Sequence, residues 1–279
     1  MSGYEIFAFS DEAGASLGAQ IAAMERNGLA GPELRGVDGR NISDLTPEKA
    51  REVRRRLDDA GLRVRSLGSP LGKIGLADDF AAHLDKTKHT AELAHILGAD
   101  RIRMFSFYPK EGQRPEDMRG QVLDRLGAML EACGGVRLCH ENEKGIYGDD
   151  AARCLDLLTA LPGLTGVFDP ANFVQCGQDT LEAWEMLKDR IDYLHIKDAF
   201  FADGRVVPAG CGEGHVPEIV RDYLARGGRA MTIEPHLTVF AGLKDLEREG
   251  ERSAVGTYAY ESPDAAFDAA CEALRAILA

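Results

Sequence analysis

The chain has 279 residues, of which 44% are hydrophobic, and it carries a formal net charge of −13. This length can bury one substantial core, whereas much longer chains tend to divide into domains. The negative charge would repel a phosphate backbone and no basic groove is evident, so we expect no nucleic-acid partner. No apolar run is long enough to span a membrane, so we expect a cytoplasmic protein without a membrane partner.

The cysteines and glycines give two further indications about the class of protein. The six cysteines are widely spaced and form no C-x-x-C pair, which favours reduced, buried thiols over disulfides or a zinc ribbon. The glycines are scattered and no low-complexity tract interrupts the chain. We therefore expect residues 1–279 to form a single domain.

Short apolar runs alternate with longer amphipathic stretches, such as the predicted helices at 46–61 and 78–98. The eight predicted strands are, in chain order, YEIFAF (4–9), ELRGV (33–37), RVRSLG (63–68), RIRMFSF (101–107), VRLCHE (136–141), LTGVFD (164–169), YLHIKD (193–198) and AMTIEP (230–235). Successive strands begin about 32 residues apart, which is the length of a βα unit. The sequence therefore predicts a (β/α)8 TIM barrel. The rival open sheet would want a G-x-G-x-x-G after its first strand, which is missing.

Side-chain alternation predicts which strand residues point into the barrel. In the seventh predicted strand, Leu194 can face the helices, which leaves His195 facing inward near the carboxyl end. The same alternation turns Glu141, Asp169 and Glu234 inward on the neighbouring predicted strands. Because barrel active sites lie at the carboxyl ends of the strands, these four side chains are predicted to meet at the mouth.

The four converging side chains indicate a metal site. Three carboxylates brought together without a cation would repel one another and raise each other's pKa, so a bound metal ion is expected to keep them ionised. One divalent ion is predicted, and Mn²⁺, Mg²⁺, Co²⁺ and Zn²⁺ all suit three oxygen ligands and one imidazole. Taken singly, Asp169 could simply cap a turn and His195 could make a structural hydrogen bond.

The segments that contain these residues resemble the metal-site strands of a known family. HENEKGIYGD (140–149), VFDPANFVQCG (167–177), YLHIKDA (193–199) and TIEPHL (232–237) are similar to those of the sugar phosphate isomerase/epimerase family, whose barrels are xylose-isomerase-like. The resemblance spans essentially the whole chain. It implies metal ligands Glu, Asp, His and Glu from the fifth to eighth strands, which here are Glu141, Asp169, His195 and Glu234.

The resemblance implies no particular substrate. Its members include ketose 3-epimerases, hydroxypyruvate isomerase, inosose isomerases and dehydratases, and abasic-site endonucleases. Ketose 3-epimerases usually carry a histidine three residues after the strand-six aspartate, where this chain has Asn172. The endonucleases bind three zinc ions through many histidines, and because this chain has only seven histidines that branch is disfavoured.

We expect a divalent-metal-dependent isomerase or epimerase that transfers a proton through a metal-stabilised enediolate on a ketose or keto-inositol. Glu141 and Glu234 are the predicted catalytic residues, since one glutamate would remove the proton and the other return one. A metal-dependent dehydratase of a keto-inositol or keto-sugar is the alternative. A metal-free glycosidase and a non-catalytic sugar-binding barrel are two further classes.

Other polar residues of the predicted mouth are expected to bind the sugar or inositol-like substrate. They are Asn172, Lys197, His236, Arg103 and Glu143. Lys197 could donate to a developing oxyanion, but an ion pair with Asp198 or a glutamate explains it nearly as well. For Arg103, a protein ion pair and a substrate contact are equally expected.

Three further expectations concern other parts of the chain. The inward Arg35 is expected to form a structural ion pair with Glu33, Glu141 or Glu143, because a buried guanidinium needs a partner. The glycine-rich segment 208–217 could cradle a phosphate. Its Glu213 argues against an anion, so a lid and an unphosphorylated substrate are favoured. Segment 243–261 is long enough for an interface or a lid, and we expect a homo-oligomer.

Overall fold

The structure is a computed structural model, and it describes residues 3–240 and 260–279. Eight parallel strands form a closed barrel, and their bounds are β1 (Glu5–Ala8), β2 (Gly31–Leu34), β3 (Ser66–Gly68), β4 (Arg101–Met104), β5 (Arg137–Glu141), β6 (Thr165–Phe168), β7 (Ile191–Ile196) and β8 (Ala230–Ile233). Each strand pairs with its neighbours in chain order, and β8 closes the barrel against β1. The predicted (β/α)8 TIM barrel is confirmed.

Helices follow the strands and are α1 (Leu17–Arg26), α2 (Pro47–Asp59), α3 (Phe80–Leu97), α4 (Arg119–Ala132), α5 (Ala151–Ala160), α6 (Pro170–Gln175), α7 (Thr180–Leu187), α8 (Val216–Ala225) and α9 (Pro263–Leu278). Several begin at a polar cap, as where the Thr46 side chain accepts from the Lys49 amide at the start of α2. Helix α3 ends at Gly98, whose left-handed φ of 72° suits glycine. These local signals fix where each helix meets its loop.

Side-chain alternation divides the strand residues between two apolar regions. Leu194 and Ile196 join the main hydrophobic core with the helices. A smaller cluster inside the barrel comprises Phe7, Cys139, Val167, Tyr193 and Ala230. The structure therefore has the inward and outward orientations that alternation predicted for β7.

The second strand departs most from the sequence prediction. It begins at Gly31, two residues before the predicted segment 33–37, and Gly36–Val37 pair instead with Arg40–Asn41 in a small antiparallel hairpin. A Cβ at Gly31 would lie 2.0 Å from the carbonyl oxygen of Arg63, so the backbones can approach only because residue 31 is glycine. Glycine and proline disfavour strands in general, which explains why the pattern placed this strand too late.

Three other expectations concern the cysteines, membrane spans and segment 243–261. Cys133, Cys139, Cys154 and Cys271 are buried free thiols, while Cys211 is exposed. Among residues 3–240 and 260–279, no helix combines the length and the apolar composition needed to cross a bilayer. Most of segment 243–261, the expected interface or lid, lies outside the described residues, so its role stays a prediction.

Candidate metal centre

The four predicted metal ligands meet at the carboxyl ends of four consecutive strands. Glu141 ends β5, Asp169 follows β6, His195 lies near the end of β7 and Glu234 follows β8. Each offers one ligand atom, these atoms all lie within 4.8 Å of one another, and every one of the four residues is buried. We call these four residues the acidic cluster.

Asp169 is held by the turn that starts α6. Its Oδ1 accepts from the backbone N–H of Asn172 at 2.9 Å, and its own N–H donates to Asn142 Oδ1 at 2.9 Å. Pro170 at the first helical position suits this cap because its missing N–H would have no partner there. Asp169 Oδ2 accepts no hydrogen bond among the described residues, although Lys197 Nζ lies 2.8 Å away as an ion pair. One oxygen therefore caps a turn while the other remains available as a ligand.

His195 directs its two ring nitrogens at different carboxylates. Nδ1 lies 2.9 Å from Glu141 Oε1 and 3.4 Å from Glu234 Oε2, whereas Nε2 lies 3.3 Å from Glu33 Oε2. Burial alone would lower the pKa of His195, but the carboxylates of Glu141 and Glu33 raise it well above its usual value. The imidazole therefore lies in a strongly negative environment.

Basic side chains neutralise part of this negative charge. Arg103 Nε lies 3.1 Å from Glu141 Oε2, and Lys197 Nζ lies 3.1 Å from Glu234 Oε2. Burial would raise the pKa of Glu234, but Lys197 and neighbouring groups hold it well below its usual range. Both basic residues thus pair with protein carboxylates, although a substrate role stays open for each.

The donor set of the acidic cluster suits a divalent cation. The ion pairs that include or adjoin the cluster contain six carboxylates, namely Asp11, Glu12, Glu33, Glu141, Asp169 and Glu234. Their cationic partners are fewer, namely Arg35, Arg103, Lys197 and the imidazole of His195. Burial raises the pKa of Asp169 to about 8, and the neighbouring glutamates add to the rise although Lys197 opposes it. Positive charge is therefore in short supply, and three carboxylates with one imidazole are ligands that Mn²⁺, Mg²⁺, Co²⁺ and Zn²⁺ accept.

Glu234 also belongs to a second group of potential ligands, with Glu12 and His236. Arg35 already lies against this group, because its Nη2 is 2.9 Å from Glu12 Oε1 and its Nε is 3.0 Å from Asp11 Oδ2. The guanidinium supplies the positive charge that a second cation would otherwise provide.

The structure corrects the expected partners of Arg35. It forms the buried ion pair that the sequence predicted, but with Asp11, Glu12 and Glu234 instead of Glu33, Glu141 or Glu143. Alternation along a strand gives the side a residue faces, whereas its partner depends on which loop follows the neighbouring strand. Asp11 and Glu12 lie in the short 3-10 turn after β1, where the apolar pattern gave no signal.

Three other predicted substrate-binding residues lie near the acidic cluster. Asn172 Nδ2 donates to the carbonyl oxygen of Asn142 at 2.8 Å, and His236 Nδ1 lies 3.3 Å from Glu234 Oε1. Glu143 pairs with a lysine, Lys73, at 2.7 Å on the more exposed side of the mouth. These contacts place the three polar groups at the mouth, and their role towards a substrate stays a prediction.

The glycine-rich segment 208–217 holds one of the protein's own carboxylates. The amides of Gly210, Gly212 and Gly214 donate to Asp198 at 2.9, 3.0 and 2.8 Å. A Cβ at Gly212 would lie 2.3 Å from Asp198 Oδ1, so the turn requires glycine there. The protein's own Asp198 carboxylate therefore occupies the amides that could have cradled a phosphate, and the lid role of this segment stays a prediction. Asp198 is consequently not the partner of Lys197.

The sequence pattern indicated the wrong partner for Glu33, which lies next to the acidic cluster. It lies on β2 with no exposed side-chain surface, and it faces His195 across the barrel interior. Its inward orientation could have been predicted, because Glu33 and Arg35 are two residues apart. The partner could not, since pairing across a barrel depends on the relative height of distant strands.

Residues 21–238 match the model of the xylose isomerase-like TIM barrel family. The match covers well over half of the chain, and the chain therefore belongs to this family. The family suspected from the four segments is thereby confirmed.

Several solved structures share the fold. A probable 3-DHS dehydratase from Bacillus anthracis has a TM-score of 0.72 at 18% identity, with 98% of each chain covered. A 3-keto-D-glucoside 4-epimerase from E. coli has a TM-score of 0.69 at 14% identity, with 99% of each chain covered. The IolI protein with a bound zinc atom has a TM-score of 0.75 at 13% identity, with 98% of each chain covered. Similarity at these identities shows the fold alone. No curated protein sequence matches the chain.

Proposed function

We propose that the protein is a divalent-metal-dependent isomerase or epimerase that acts on a ketose or keto-inositol. The observation that carries the proposal is the acidic cluster, in which four buried side chains present ligand atoms within 4.8 Å of one another. Support also comes from two proteins of the same fold, a 3-keto-D-glucoside 4-epimerase and the IolI protein with a bound zinc atom.

Glu141, Asp169, His195 and Glu234 would hold the metal ion through three carboxylates and one imidazole. When bound, a divalent ion supplies Lewis acidity, which disperses the negative charge that develops on a substrate oxygen as the neighbouring carbon loses a proton. The remaining steps fall to side chains of this chain.

Two glutamates are proposed to move the proton. The low pKa of Glu234, caused by Lys197 despite burial, keeps this carboxylate ionised and able to accept a proton at neutral pH. Glu141 lies on β5, two strands away from β7 and three away from β8, so the two glutamates can approach a substrate from different sides. Return of the proton to the opposite face would epimerise one carbon, whereas return to the adjacent carbon would interconvert ketose and aldose.

Other polar groups at the mouth are proposed to position the substrate. Lys197 Nζ lies 2.8 Å from Asp169 Oδ2 and 3.1 Å from Glu234 Oε2, so its ammonium group can donate to a substrate oxygen beside both. Asn172, His236, Arg103 and Glu143 are proposed to bind substrate hydroxyls.

We further propose that the substrate is not phosphorylated. The glycine amides that could have cradled a phosphate all donate to Asp198. The excess of carboxylates over basic residues at the mouth would also repel a phosphate group.

A dehydratase acting on a keto-inositol or keto-sugar is the second candidate. It would begin with the same proton removal but would end by protonating a departing hydroxyl group. Burial raises the pKa of Glu12 to about 7 although Arg35 opposes the rise, so about half of this carboxyl group, which lies next to Glu234, carries a proton at neutral pH. One of the proteins that share the fold is a probable 3-DHS dehydratase.

Deuterium exchange tests the proposal directly. The metal-loaded protein is incubated in D2O with a panel of ketoses and inososes, and the carbon beside the carbonyl is examined by NMR. We expect exchange that needs Mn²⁺ and is lost in both Glu141→Gln and Glu234→Gln. Glu92→Gln, an exposed change on α3, serves as the matched control. Full exchange in both cluster variants would overturn the proton-transfer assignment.

The products of the same experiment separate the alternatives. An inverted carbon identifies an epimerase, an aldose identifies an isomerase, and loss of water identifies a dehydratase. Sugar binding without exchange would identify a non-catalytic barrel. A separate incubation with glycosides and a chelator tests the remaining class, since hydrolysis that survives chelation would identify a metal-free glycosidase.

A further inference from the structure

We infer that Glu33 positions His195 for metal binding by accepting a hydrogen bond from the Nε2–H of the imidazole, which makes Nδ1 the ligating nitrogen. The inference rests on the proposed metal function, and it assigns a role to a residue outside the acidic cluster. Glu33 is a positioning residue here, because it would act on the metal only through the imidazole.

Glu33 is buried inside the barrel next to His195. Its side chain has no exposed surface, and its Oε2 lies 3.3 Å from Nε2 of the equally buried His195. A carboxylate in such a place is costly unless its oxygens accept hydrogen bonds. Its hydrogen-bond partners therefore define what it does.

Hydroxyl groups on two other strands donate hydrogen bonds to the Glu33 carboxylate. The hydroxyl of Tyr193 donates to Glu33 Oε1 at 2.9 Å, and the hydroxyl of Thr232 donates to Oε2 at 2.8 Å. Ser66 Oγ lies 3.2 Å from the same tyrosine hydroxyl, which fixes the ring from a third strand. Glu33 thus accepts on both oxygens from rigid strand positions, as an ionised carboxylate does.

The contact with Glu33 also fixes the orientation of the His195 imidazole. An ionised carboxylate can only accept, so the Nε2 of His195 must carry the proton between them. Nδ1 then points towards Glu141 and Glu234, at 2.9 and 3.4 Å, on the side of the other proposed ligands. Phe9 packs edge-on against the imidazole at a centroid distance of 5.1 Å and restricts the ring further.

Removal of the Glu33 carboxylate should weaken metal binding by a measurable factor. A carboxylate that accepts a hydrogen bond from the non-ligating nitrogen of a metal-bound histidine fixes the tautomer and raises the basicity of the imidazole. Removing such a carboxylate typically weakens metal binding about 10- to 100-fold. A merely structural role for Glu33 would change the stability of the protein and leave metal affinity unchanged.

The test measures the dissociation constant for Zn²⁺ directly, by competition with a chromophoric chelator, in metal-free wild type and Glu33→Gln. We expect one ion per wild-type chain and binding about 10- to 100-fold weaker in the variant. Thr180→Val is the matched control, because it removes a partly buried hydroxyl contact to another histidine, His215, and is expected to bind Zn²⁺ like wild type. An unchanged dissociation constant in a folded Glu33→Gln protein would overturn the inference.

A second variant and a second readout guard against misfolding of Glu33→Gln. Tyr193→Phe keeps the carboxylate and removes one of its donors, so it should weaken Zn²⁺ binding by less than Glu33→Gln does. In Zn²⁺-loaded wild type with ¹⁵N-labelled histidine, NMR should show His195 protonated at Nε2, identified by its absence in His195→Gln. A proton on Nδ1 would contradict the inference. Failure of wild type to bind any divalent ion would instead reject the proposed metal function itself.

Discussion

Lys197 Nζ lies 2.8 Å from Asp169 Oδ2, so a lysine pairs with the oxygen of this aspartate that accepts no hydrogen bond from the part of the chain that the structure describes. Both side chains are almost completely buried. An ion pair in such a place stabilises the fold chiefly by preventing an unpaired buried charge. A divalent ion bound to the acidic cluster would act on the same carboxylate.

Lys197→Met should therefore lower the free energy of unfolding of the metal-free protein, by about 3 to 5 kcal/mol. The stabilisation gained on adding Mn²⁺ should be larger in the variant than in wild type, because the ion replaces the missing positive charge. Urea unfolding with and without Mn²⁺ measures both effects. Lys86→Met breaks a partly exposed pair with Asp44 and should change little. Equal metal-induced stabilisation in Lys197→Met and wild type would count against a cation at this position.

Arg35→Leu should destabilise the protein by a similar amount, about 3 to 5 kcal/mol, because it leaves Asp11 and Glu12 buried without their guanidinium. Thermal and urea unfolding of the metal-free protein measure the loss. Arg114→Leu, which breaks an exposed pair with Asp117, should stay within about 0.5 kcal/mol of wild type. A loss no larger than that of this control would show that Arg35 is not a structural residue.

Stability should also fall at acid pH because of His83. Burial lowers the pKa of His83 to about 4, helped by Lys86 and Arg125, and its Nε2 accepts from the Gly72 amide at 2.9 Å. Between pH 6.5 and 4 the unfolded chain binds a proton that the folded chain does not. The free energy of unfolding should therefore decrease as the pH falls through this window, by up to about 3 kcal/mol.

His83→Gln isolates this effect, since glutamine does not titrate. Urea unfolding of wild type and variant near neutral pH and near pH 4.5 gives the two losses. The variant should lose less stability than wild type on acidification. An identical loss in both proteins would show that His83 does not contribute to the acid sensitivity.

The sequence predicted the barrel and the acidic cluster because both follow from local patterns. Alternating apolar and polar positions fix which side of a strand each residue faces, and parallel strands end at the same edge. Glu141, Asp169, His195 and Glu234 could therefore be placed together without knowing any contact between them. The metal ion and the substrate are inferred from the chemistry of these side chains and remain proposals.

Contacts that depend on the relative position of distant segments could not be predicted in the same way. The pairing of Glu33 with His195 requires the heights of β2 and β7, and that of Arg35 with Asp11 requires the path of the turn after β1. The three glycine amides around Asp198 depend on a loop conformation that composition does not specify. In each case the residue types were evident but the partner was not.

Glu141, Asp169, His195 and Glu234 are proposed to bind one divalent ion. Crystals grown with saturating Mn²⁺ and measured near the manganese absorption edge would test it most directly. We predict one anomalous peak per chain within about 2.0 to 2.4 Å of a ligand atom from each of the four residues. An acidic cluster without such a peak, or a peak held by other residues, would contradict the account.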